Sequence, residues 1–149
     1  MDCFTCRSLS GEKRISPGPI IHYGTYWVVD HAYPTGLIGW LVIVLKRHAE
    51  ALHELSEEEF VELAQIQHRL AQVMQQDARI EKESMMCFAE SEHFRHIHVH
   101  FVARSEDLPA ETRGPRVFSM LNVDEQRAIP SEEVIAFSEE FKQKYQALR

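Results

Sequence analysis

The stretch His96-Ile97-His98-Val99-His100-Phe101-Val102 has a histidine at every second position. Side chains at positions i, i+2 and i+4 of a β-strand lie on the same face of the sheet. A strand over 96–103 would therefore project three imidazoles from one side, while Ile97, Val99 and Phe101 anchor the opposite face in a core. The alternation predicts a strand with one wet face and one dry face.

Three neutral imidazoles side by side have a limited chemical repertoire. They can bind a metal ion, bind a phosphate group, or supply a nucleophile together with its acid–base partners. A polar strand face with incidental histidines is the remaining interpretation, but chance seldom produces three at alternate positions. The pattern alone leaves the three chemical roles open.

The chain has 149 residues, which predicts a single domain over 1–149. Its formal charge of −7 argues against general nucleic-acid binding, which needs a basic surface, and leaves room for a small anionic substrate in a local basic pocket. The longest mainly apolar stretch, Leu37–Leu45, is too short for a membrane span, so no membrane partner is expected. Met1-Asp2-Cys3 does not resemble a secretory signal, and a cytoplasmic location is expected.

The predicted elements favour an α+β domain on a central, mainly antiparallel sheet, with one long helix and a C-terminal helix. Strands cluster without alternating helices. The predicted strands are Ile20–Tyr23, Tyr26–Asp30, Leu37–Leu45, Met85–Ala89 and His96–Ala103. A capping box of Ser56 and Glu59 precedes the predicted long helix Glu57–Arg79, and Ser131 is expected to cap the last helix. Met1–Arg7 is predicted to form a tight turn, and 108–123 to be irregular.

The histidine pattern resembles the signature of the histidine triad superfamily of nucleotide hydrolases and transferases. The resemblance extends over Met1–Arg104. Gly39–His48 is similar to the strand of that superfamily that ends in a proline-lysine-arginine-histidine element, and Cys3-Phe4-Thr5-Cys6 is similar to the N-terminal knuckle of its zinc-containing members. The resemblance implies the fold predicted above and an enzyme that acts on nucleotides.

The resemblance also implies roles for individual residues. His98 would attack the α-phosphorus of a nucleotide and form a covalent nucleotidyl-histidine, which water or an acceptor alcohol then resolves. His100 would touch the phosphate or the leaving-group oxygen and help with proton transfer. Asp30 would bind the ribose hydroxyls, unless it only stabilises the turn before Pro34, and the segment Ser91, Glu92 and His93 would help to hold the phosphate. Dinucleoside polyphosphates or nucleoside phosphoramidates are the implied substrates.

A structural zinc site is implied by the same resemblance. Cys3 and Cys6 would supply two thiolates, and His48 and His96 would complete a closed tetrahedral site, as in zinc-bearing triad proteins and galactose-1-phosphate uridylyltransferase. The alternative is a pair of free surface cysteines, because a lone Cys-x-x-Cys is a weak signal. Cys87, in the predicted strand Met85–Ala89, is expected to be a buried small hydrophobe.

Three departures from the common pattern affect the expected substrate more than the chemistry. Trp40 stands where many hydrolase members have a histidine, which is similar to the uridylyltransferase branch, and Leu45 stands where they have proline. Glu92 takes the place of a glutamine, and the usual asparagine-x-glycine is missing at Met85–Cys87.

Two other functions are compatible with the same residues. One is a zinc-dependent hydrolase in which the histidines hold an open metal that activates water. The other is a non-catalytic nucleotide-binding module whose zinc only shapes the fold. In each case, the resemblance implies a homodimer, with the predicted helix Glu57–Arg79 as the candidate interface.

Overall fold

The computed structural model describes residues 2–148, so Met1 and Arg149, the two ends of the predicted 1–149 domain, lie outside the described residues. The strands within this part are β1 His22–Tyr23, β2 Trp27–His31, β3 Trp40–Leu45, β4 Ile80–Met86 and β5 His98–Ser105. The α-helices are α1 Phe4–Leu9, α2 Glu57–Met74 and α3 Ser131–Ala147. Short 3-10 helices cover Leu52–Glu54, Ala110–Thr112 and Gly114–Met120.

The strands form one sheet in the order β1-β2-β3-β5-β4, and every neighbouring pair is antiparallel. The central pair is β3 with β5, whose register sets Val42 opposite His100 and Val44 opposite His98. The predicted α+β architecture, with an antiparallel sheet, one long helix and a C-terminal helix, is confirmed.

The two faces of the sheet differ because side chains alternate along each strand. On one face, Val99 and Phe101 of β5 belong to the main hydrophobic core, which also takes in Leu70 of α2 and Phe141 of α3. A smaller apolar cluster that includes Trp40 and Val102 lies on the other face, beside His98 and His100. The helices α2 and α3 thus cover one face and leave the histidine face to other segments.

Helix α2 begins as predicted, since the Ser56 hydroxyl accepts from the Glu59 N–H and the Glu59 carboxylate accepts from the Ser56 N–H. It ends at Met74, short of the predicted Arg79. Gln75 is its C-cap residue, and after it the Asp77 carboxylate accepts from the Arg79 N–H at 3.0 Å and closes a turn that leads into β4. No helix within residues 2–148 is both long and apolar enough to cross a membrane.

Several predicted boundaries are wrong. The strand expected over Met85–Ala89 is β4, Ile80–Met86, so Cys87 follows the strand and is only half-buried. This edge strand pairs on one side only and is rich in glutamate, which hides it from an apolar pattern.

The ends of the chain also differ from the prediction. The described part of the expected turn Met1–Arg7 enters helix α1, in which Cys3 is the N-cap and its sulfur accepts from the Cys6 N–H at 3.4 Å. Ser131 does not cap α3. Pro130 is the N-cap residue, and the Ser131 hydroxyl instead bonds the Tyr33 hydroxyl at 3.2 Å.

Candidate functional site

His98 lies on β5, on the face of the sheet away from α2 and α3, and lines a cavity. Its Nδ1 is 2.7 Å from the carbonyl oxygen of His96. A carbonyl only accepts hydrogen bonds, so the proton of the neutral ring lies on Nδ1 and the lone pair lies on Nε2. Burial lowers the pKa of His98, although the bond to the His96 carbonyl opposes this shift. The ring is therefore neutral at physiological pH and carries a free electron pair on Nε2.

His100 is the next residue on the same strand face, and its ring meets that of His98 edge-on, with centroids 4.9 Å apart. Its Nδ1 accepts a 3.0 Å hydrogen bond from the indole N–H of Trp40. Burial, together with the neighbouring His98, lowers the pKa of His100 to about 4. His100 is thus a neutral imidazole at physiological pH.

His96 departs from the predicted arrangement, because it precedes β5 and is not part of the strand. It is fully buried, and its Nε2 donates to the Leu45 carbonyl at 2.5 Å. That bond leaves the lone pair on Nδ1, which points to the sulfurs of Cys3 and Cys6. The structure thus separates the triad into two residues that line the cavity and one residue that belongs to a neighbouring cluster.

The four residues Cys3, Cys6, His48 and His96 come together as a group that could hold a metal, with their ligand atoms within 4.8 Å of one another. The Nδ1 of His96 is 3.6 Å from the Cys3 sulfur and 3.4 Å from the Cys6 sulfur, and the Nδ1 of His48 is 3.5 Å from the Cys6 sulfur. Zinc bonds of ~2.3 Å to sulfur and ~2.0 Å to nitrogen in a tetrahedron set sulfur and nitrogen ligands about 3.5 Å apart. The distances therefore fit a tetrahedral metal site.

The outer nitrogens of both histidines also suit metal binding. Nε2 of His96 bonds the Leu45 carbonyl, and Nε2 of His48 lies 3.3 Å from a carboxylate oxygen of Glu50. Such bonds fix the tautomer of a metal-ligating histidine and direct the other nitrogen to the ion. Burial and the neighbouring Cys3 raise the pKa of the Cys6 thiol to about 11, so a cation would be needed to ionise the Cys6 thiol at neutral pH.

The cavity in front of His98 has a volume of about 350 Å³. Thr5 and Ser8 of α1 line the cavity, and so do Phe88 and Phe118, whose rings meet edge-on with centroids 5.6 Å apart. Its lining includes polar and apolar groups from six parts of the chain: Thr5, Ser8, Ile15, Ser16, Asp30, His31, Phe88, Glu90, Ser91, Phe94, His98, His100, Phe118, Leu121 and Asn122. A concave, mostly apolar cavity with convergent polar groups is typical of a small-molecule site.

Asp30, on β2, lines the cavity and is nearly buried. The Arg14 guanidinium donates to both of its carboxylate oxygens, at 2.5 and 3.0 Å, and also to the Gly18 carbonyl at 3.0 Å. Burial raises the pKa of Asp30, although Arg14 acts in the opposite direction. Asp30 is therefore a paired carboxylate whose remaining lone pairs are available to a ligand.

Of the three residues that were predicted to hold the phosphate, Ser91, Glu92 and His93, only Ser91 lines the cavity. Ser91 is exposed and lines the cavity. The Glu92 side chain is 91% exposed and, like His93, does not line this cavity. His93 has a positive φ of 67° and instead contacts the N-terminal segment, where its carbonyl accepts from the Phe4 N–H at 3.0 Å.

Sequence reasoning did not find three of the residues that shape the site. Arg14 lies in a loop and belongs to no recognisable sequence motif. Phe118, in a segment predicted to be irregular, stands edge-on to His100 at 5.0 Å and to Trp40 at 5.4 Å. Trp40 was noticed only as a departure from a family pattern, and its bond to His100 depends on the cross-strand geometry of β3 and β5.

The family model described as scavenger mRNA decapping enzyme C-term binding matches residues 3–114. The chain belongs to this family, which lies within the histidine triad superfamily, whose members are typically nucleotide hydrolases or transferases. The comparison with curated proteins gives no match.

Solved structures of histidine triad proteins share the fold. A Hit-like protein involved in cell-cycle regulation from Bartonella henselae is 13% identical, with 96% of each chain covered and a TM-score of 0.72. A zinc-bound histidine triad family protein from Mycobacterium smegmatis is 16% identical, with 96% of this chain and 97% of that chain covered and a TM-score of 0.60. A histidine triad protein from Bradyrhizobium japonicum is 20% identical, with 85% and 90% covered and a TM-score of 0.69. At these identities, the similarity establishes the fold.

Proposed function

We propose that the protein is a nucleotide phosphohydrolase or nucleotidyltransferase that acts through a covalent nucleotidyl-histidine on His98. The observation that carries this proposal is the bond from His98 Nδ1 to the His96 carbonyl, because it leaves the Nε2 lone pair of a cavity-lining imidazole free to attack. Dinucleoside polyphosphates and nucleoside phosphoramidates are the candidate substrate classes.

In the first step, a bond forms between His98 Nε2 and the α-phosphorus, and the bond from phosphorus to the leaving group breaks. In the second step, the oxygen of water or an acceptor alcohol bonds to the same phosphorus and its proton passes to solvent, while the Nε2–phosphorus bond breaks and its electron pair returns to His98. Splitting one displacement into two easier steps is the advantage of covalent catalysis. His100 stands beside His98 and would donate a hydrogen bond to the phosphoryl group.

We assign the nucleotide to the cavity of about 350 Å³ in front of the two histidines. Asp30 would accept hydrogen bonds from the ribose hydroxyls with the lone pairs that Arg14 leaves free. Ser91, which lines the cavity, would contact the phosphate. Glu92 and His93 would contribute through the backbone of the same loop, because their side chains do not line this cavity.

We propose further that Cys3, Cys6, His48 and His96 hold a structural zinc ion. The sulfur-to-nitrogen distances of 3.4–3.6 Å, the histidine tautomers and the mixed sulfur and nitrogen donors support zinc over a hard cation. When bound, zinc would supply a cross-link between the N-terminal segment and the strands, with four protein ligands and no open position for water. The similarity to the zinc-bound protein from M. smegmatis also supports this assignment.

The separation of the two groups of side chains disfavours a zinc-dependent hydrolase. His98 and His100 are not members of the four-residue cluster. The Trp40 indole N–H occupies the Nδ1 lone pair of His100, so the proton of that neutral ring lies on Nε2 and neither nitrogen of His100 is free to bind a metal. A water-activating site would need the strand histidines to share one metal. The geometry instead favours a nucleophilic role for His98.

We also propose that the protein is a homodimer that pairs through α2 and the sheet edge. Phe60 and Val61 of α2 are 42% and 50% exposed, and β4 is a terminal strand of the sheet. Exposed apolar residues on a helix and an open strand edge are both features that subunits cover. Sedimentation at micromolar concentration should give twice the chain mass, and a mass of one chain would contradict the dimer alone.

Trapping the covalent intermediate tests the proposed function. The purified protein is incubated with a panel of labelled nucleotides, quenched, digested and examined by mass spectrometry. We expect a nucleotidyl group on the peptide that contains His98, and its absence in His98→Asn. The exposed His68 provides a control, because His68→Asn should be labelled like the wild type. Turnover that is unchanged in His98→Asn would support a binding role for the histidines.

A further inference from the structure

Trp40 is fully buried on β3, and its indole N–H points at Nδ1 of His100, 3.0 Å away. An indole nitrogen can only donate a hydrogen bond. Nδ1 of His100 must therefore present its lone pair to Trp40, which requires the single proton of the neutral ring to lie on Nε2. Here a buried side chain on one central strand determines the tautomer of a cavity-lining histidine on the next.

The same contact opposes protonation of His100. An imidazolium carries hydrogens on both nitrogens, so its Nδ1–H would face the indole N–H and the buried hydrogen bond would be lost. The groups packed against the ring are Trp40 and Val42 of β3, Met86 of β4, Phe118 of the 114–120 segment, and His98 of the same strand. His98 alone among these is titratable, and no carboxylate in this set would stabilise a positive charge.

We propose that Trp40 is a positioning residue that holds His100 as the neutral Nε2–H tautomer, so that His100 donates a hydrogen bond to the phosphoryl group but gives up no proton. This inference rests on the proposed nucleotidyl transfer to His98. Its consequence is a preference for substrates whose leaving group departs as a stable anion, such as phosphoanhydrides, over substrates whose leaving group must first be protonated.

These assignments determine where the electron pairs and protons go in the first step. Nε2 of His98 forms a bond to phosphorus with its lone pair, and the electron pair of the breaking phosphorus–oxygen bond stays on the leaving oxygen. The proton on Nδ1 of His98 remains bonded to the His96 carbonyl. The proton on Nε2 of His100 cannot be transferred, because its loss would leave an imidazolate anion. A leaving group that is a weak acid in its free form would therefore be released slowly.

The indole is well suited to this task. A histidine at position 40 could either donate to His100 or accept from it, so it would not fix the tautomer. Phenylalanine would fill similar space without any donor. Gly39, with a positive φ of 84°, turns the chain before Trp40, and its N–H donates to Nε2 of His31 at 2.9 Å. The backbone that carries Trp40 is thus itself fixed by a buried hydrogen bond.

Nitrogen-15 NMR of the histidine side chains tests the tautomer directly. We expect the wild-type protein to show His100 protonated on Nε2 and bare on Nδ1 from roughly pH 5 to pH 8. Trp40→Phe should give a mixture of tautomers or a protonated ring, whereas Trp27→Phe should not change His100. Trp27 is a matched control, because it is equally buried and its N–H bonds the Glu59 carbonyl, far along the chain from His100. A wild-type His100 with its proton on Nδ1, or charged at neutral pH, would overturn the proposal.

A leaving-group series tests the consequence. The substrates are aryl esters of the nucleoside 5′-monophosphate that labels His98, with phenols of increasing acidity but similar size. We expect kcat of the wild type to rise steeply with phenol acidity. Trp40→Phe should lose on the order of 10-fold with the most acidic phenol and show a shallower dependence, while Trp27→Phe keeps the wild-type slope.

The outcomes separate this inference from the proposed function. A shallow wild-type dependence would mean that a proton is supplied and would overturn the role of Trp40. If no nucleotide labels His98, the proposed function fails, while the NMR result still decides the tautomer. If Trp40→Phe does not fold, the wild-type spectrum and the wild-type leaving-group series decide the question without it.

Discussion

Phe4 stacks flat on His93, with ring centroids 4.6 Å apart and an angle of 12° between the rings. The Phe4 N–H also donates to the His93 carbonyl at 3.0 Å. Phe4 lies between the two cysteines of the metal-binding group, while His93 belongs to the loop that also contributes Ser91 and Phe94 to the cavity. This stack joins the candidate metal site to one wall of the candidate nucleotide site.

Phe4→Ala should weaken nucleotide binding by about 2–10-fold, the range expected for loss of an aromatic pair worth about 0.5–1.5 kcal/mol. The Ser91–Phe94 loop would lose its contact with α1 and hold the phosphate less well. Isothermal titration with a non-hydrolysable nucleotide measures this change. Tyr23 on β1, which is 66% exposed and does not line the cavity, gives the control variant Tyr23→Ala, whose nucleotide affinity should equal that of the wild type. Equal affinity of Phe4→Ala and the wild type would show that the stack does not support the site.

Removal of metal should destabilise the fold. A strong chelator is expected to lower the Tm by more than about 5 °C, since each kcal/mol lost shifts the Tm of a domain this size by about 2–4 °C. The double variant Cys3→Ser, Cys6→Ser should purify without zinc and be insensitive to the chelator. Cys87 lies outside the cluster, so Cys87→Ser should keep one zinc per chain. Absence of zinc in freshly purified, reduced wild type would contradict the assignment.

The roles of His98 and His96 should separate in a pair of variants. His98→Ala should lose turnover by roughly 10⁴-fold or more while its Tm stays near that of the wild type, because it removes the proposed nucleophile and leaves the core intact. His96→Ala should lose zinc and stability, since its fully buried ring bonds Leu45 and faces both cysteines. Kinetics, metal analysis and thermal melts measured on the same preparations test this. Equal zinc loss in both variants would favour a site in which the strand histidines share one metal.

The free energy of unfolding should decrease as the pH falls below 7, and part of this decrease should come from protonation of His31. Its Nδ1 donates to the Ala32 carbonyl at 2.7 Å and its Nε2 accepts from the Gly39 N–H at 2.9 Å, and burial lowers its pKa from 6.5 to about 4. The unfolded chain therefore binds the proton first, so this contribution is complete above about pH 6.5 and is lost as the pH falls towards 4. Between pH 7 and pH 5 it amounts to about 2 kcal/mol.

Urea denaturation at the two pH values measures the contribution of His31. His31→Gln can keep both hydrogen bonds but does not titrate, so its free energy of unfolding should fall by about 2 kcal/mol less than that of the wild type. An unchanged pH dependence in His31→Gln would mean that His31 is not held neutral by the fold.

Replacing Arg14 should destabilise the fold, because Asp30 loses its charged partner. Arg14→Gln leaves a nearly buried carboxylate without its charged partner, and we expect a loss of about 2 kcal/mol in the free energy of unfolding. The exposed pair of Arg79 and Asp77 is the comparison, and Arg79→Gln should cost much less than Arg14→Gln, because solvent screens an exposed ion pair. Chemical denaturation at neutral pH measures both. Similar small losses in the two variants would show that the Asp30 pair is effectively solvated.

The central strands could be predicted because their apolar residues are contiguous or alternate. Leu37–Leu45 and His96–Ala103 predicted β3 and β5, although the former began too early and the latter included His96, which lies before the strand. The capping box at Ser56 located the start of α2 correctly. The edge strand β4 was misplaced, because a strand paired on one side only needs no continuous apolar run.

The parts of the candidate site that could be predicted from the sequence are those whose residues lie close together on one strand or one turn. The grouping of Cys3, Cys6, His48 and His96 followed from a family resemblance, and the structure does bring these residues together. The partners of the functional side chains were not predictable. The bonds from Trp40 to His100 and from Arg14 to Asp30 depend on how the chain folds back on itself, and neither pair has a characteristic spacing along the sequence.

The orientation of His98 depends on a main-chain atom, the carbonyl oxygen of His96. Every amino acid has that carbonyl, so no point substitution at position 96 can delete the acceptor, although it can remove the imidazole ring. A substitution at position 96 can therefore disturb the tautomer of His98 only by moving the backbone. The orientation of His98 thus depends on the path of the main chain before β5, and not on the identity of the side chain at position 96.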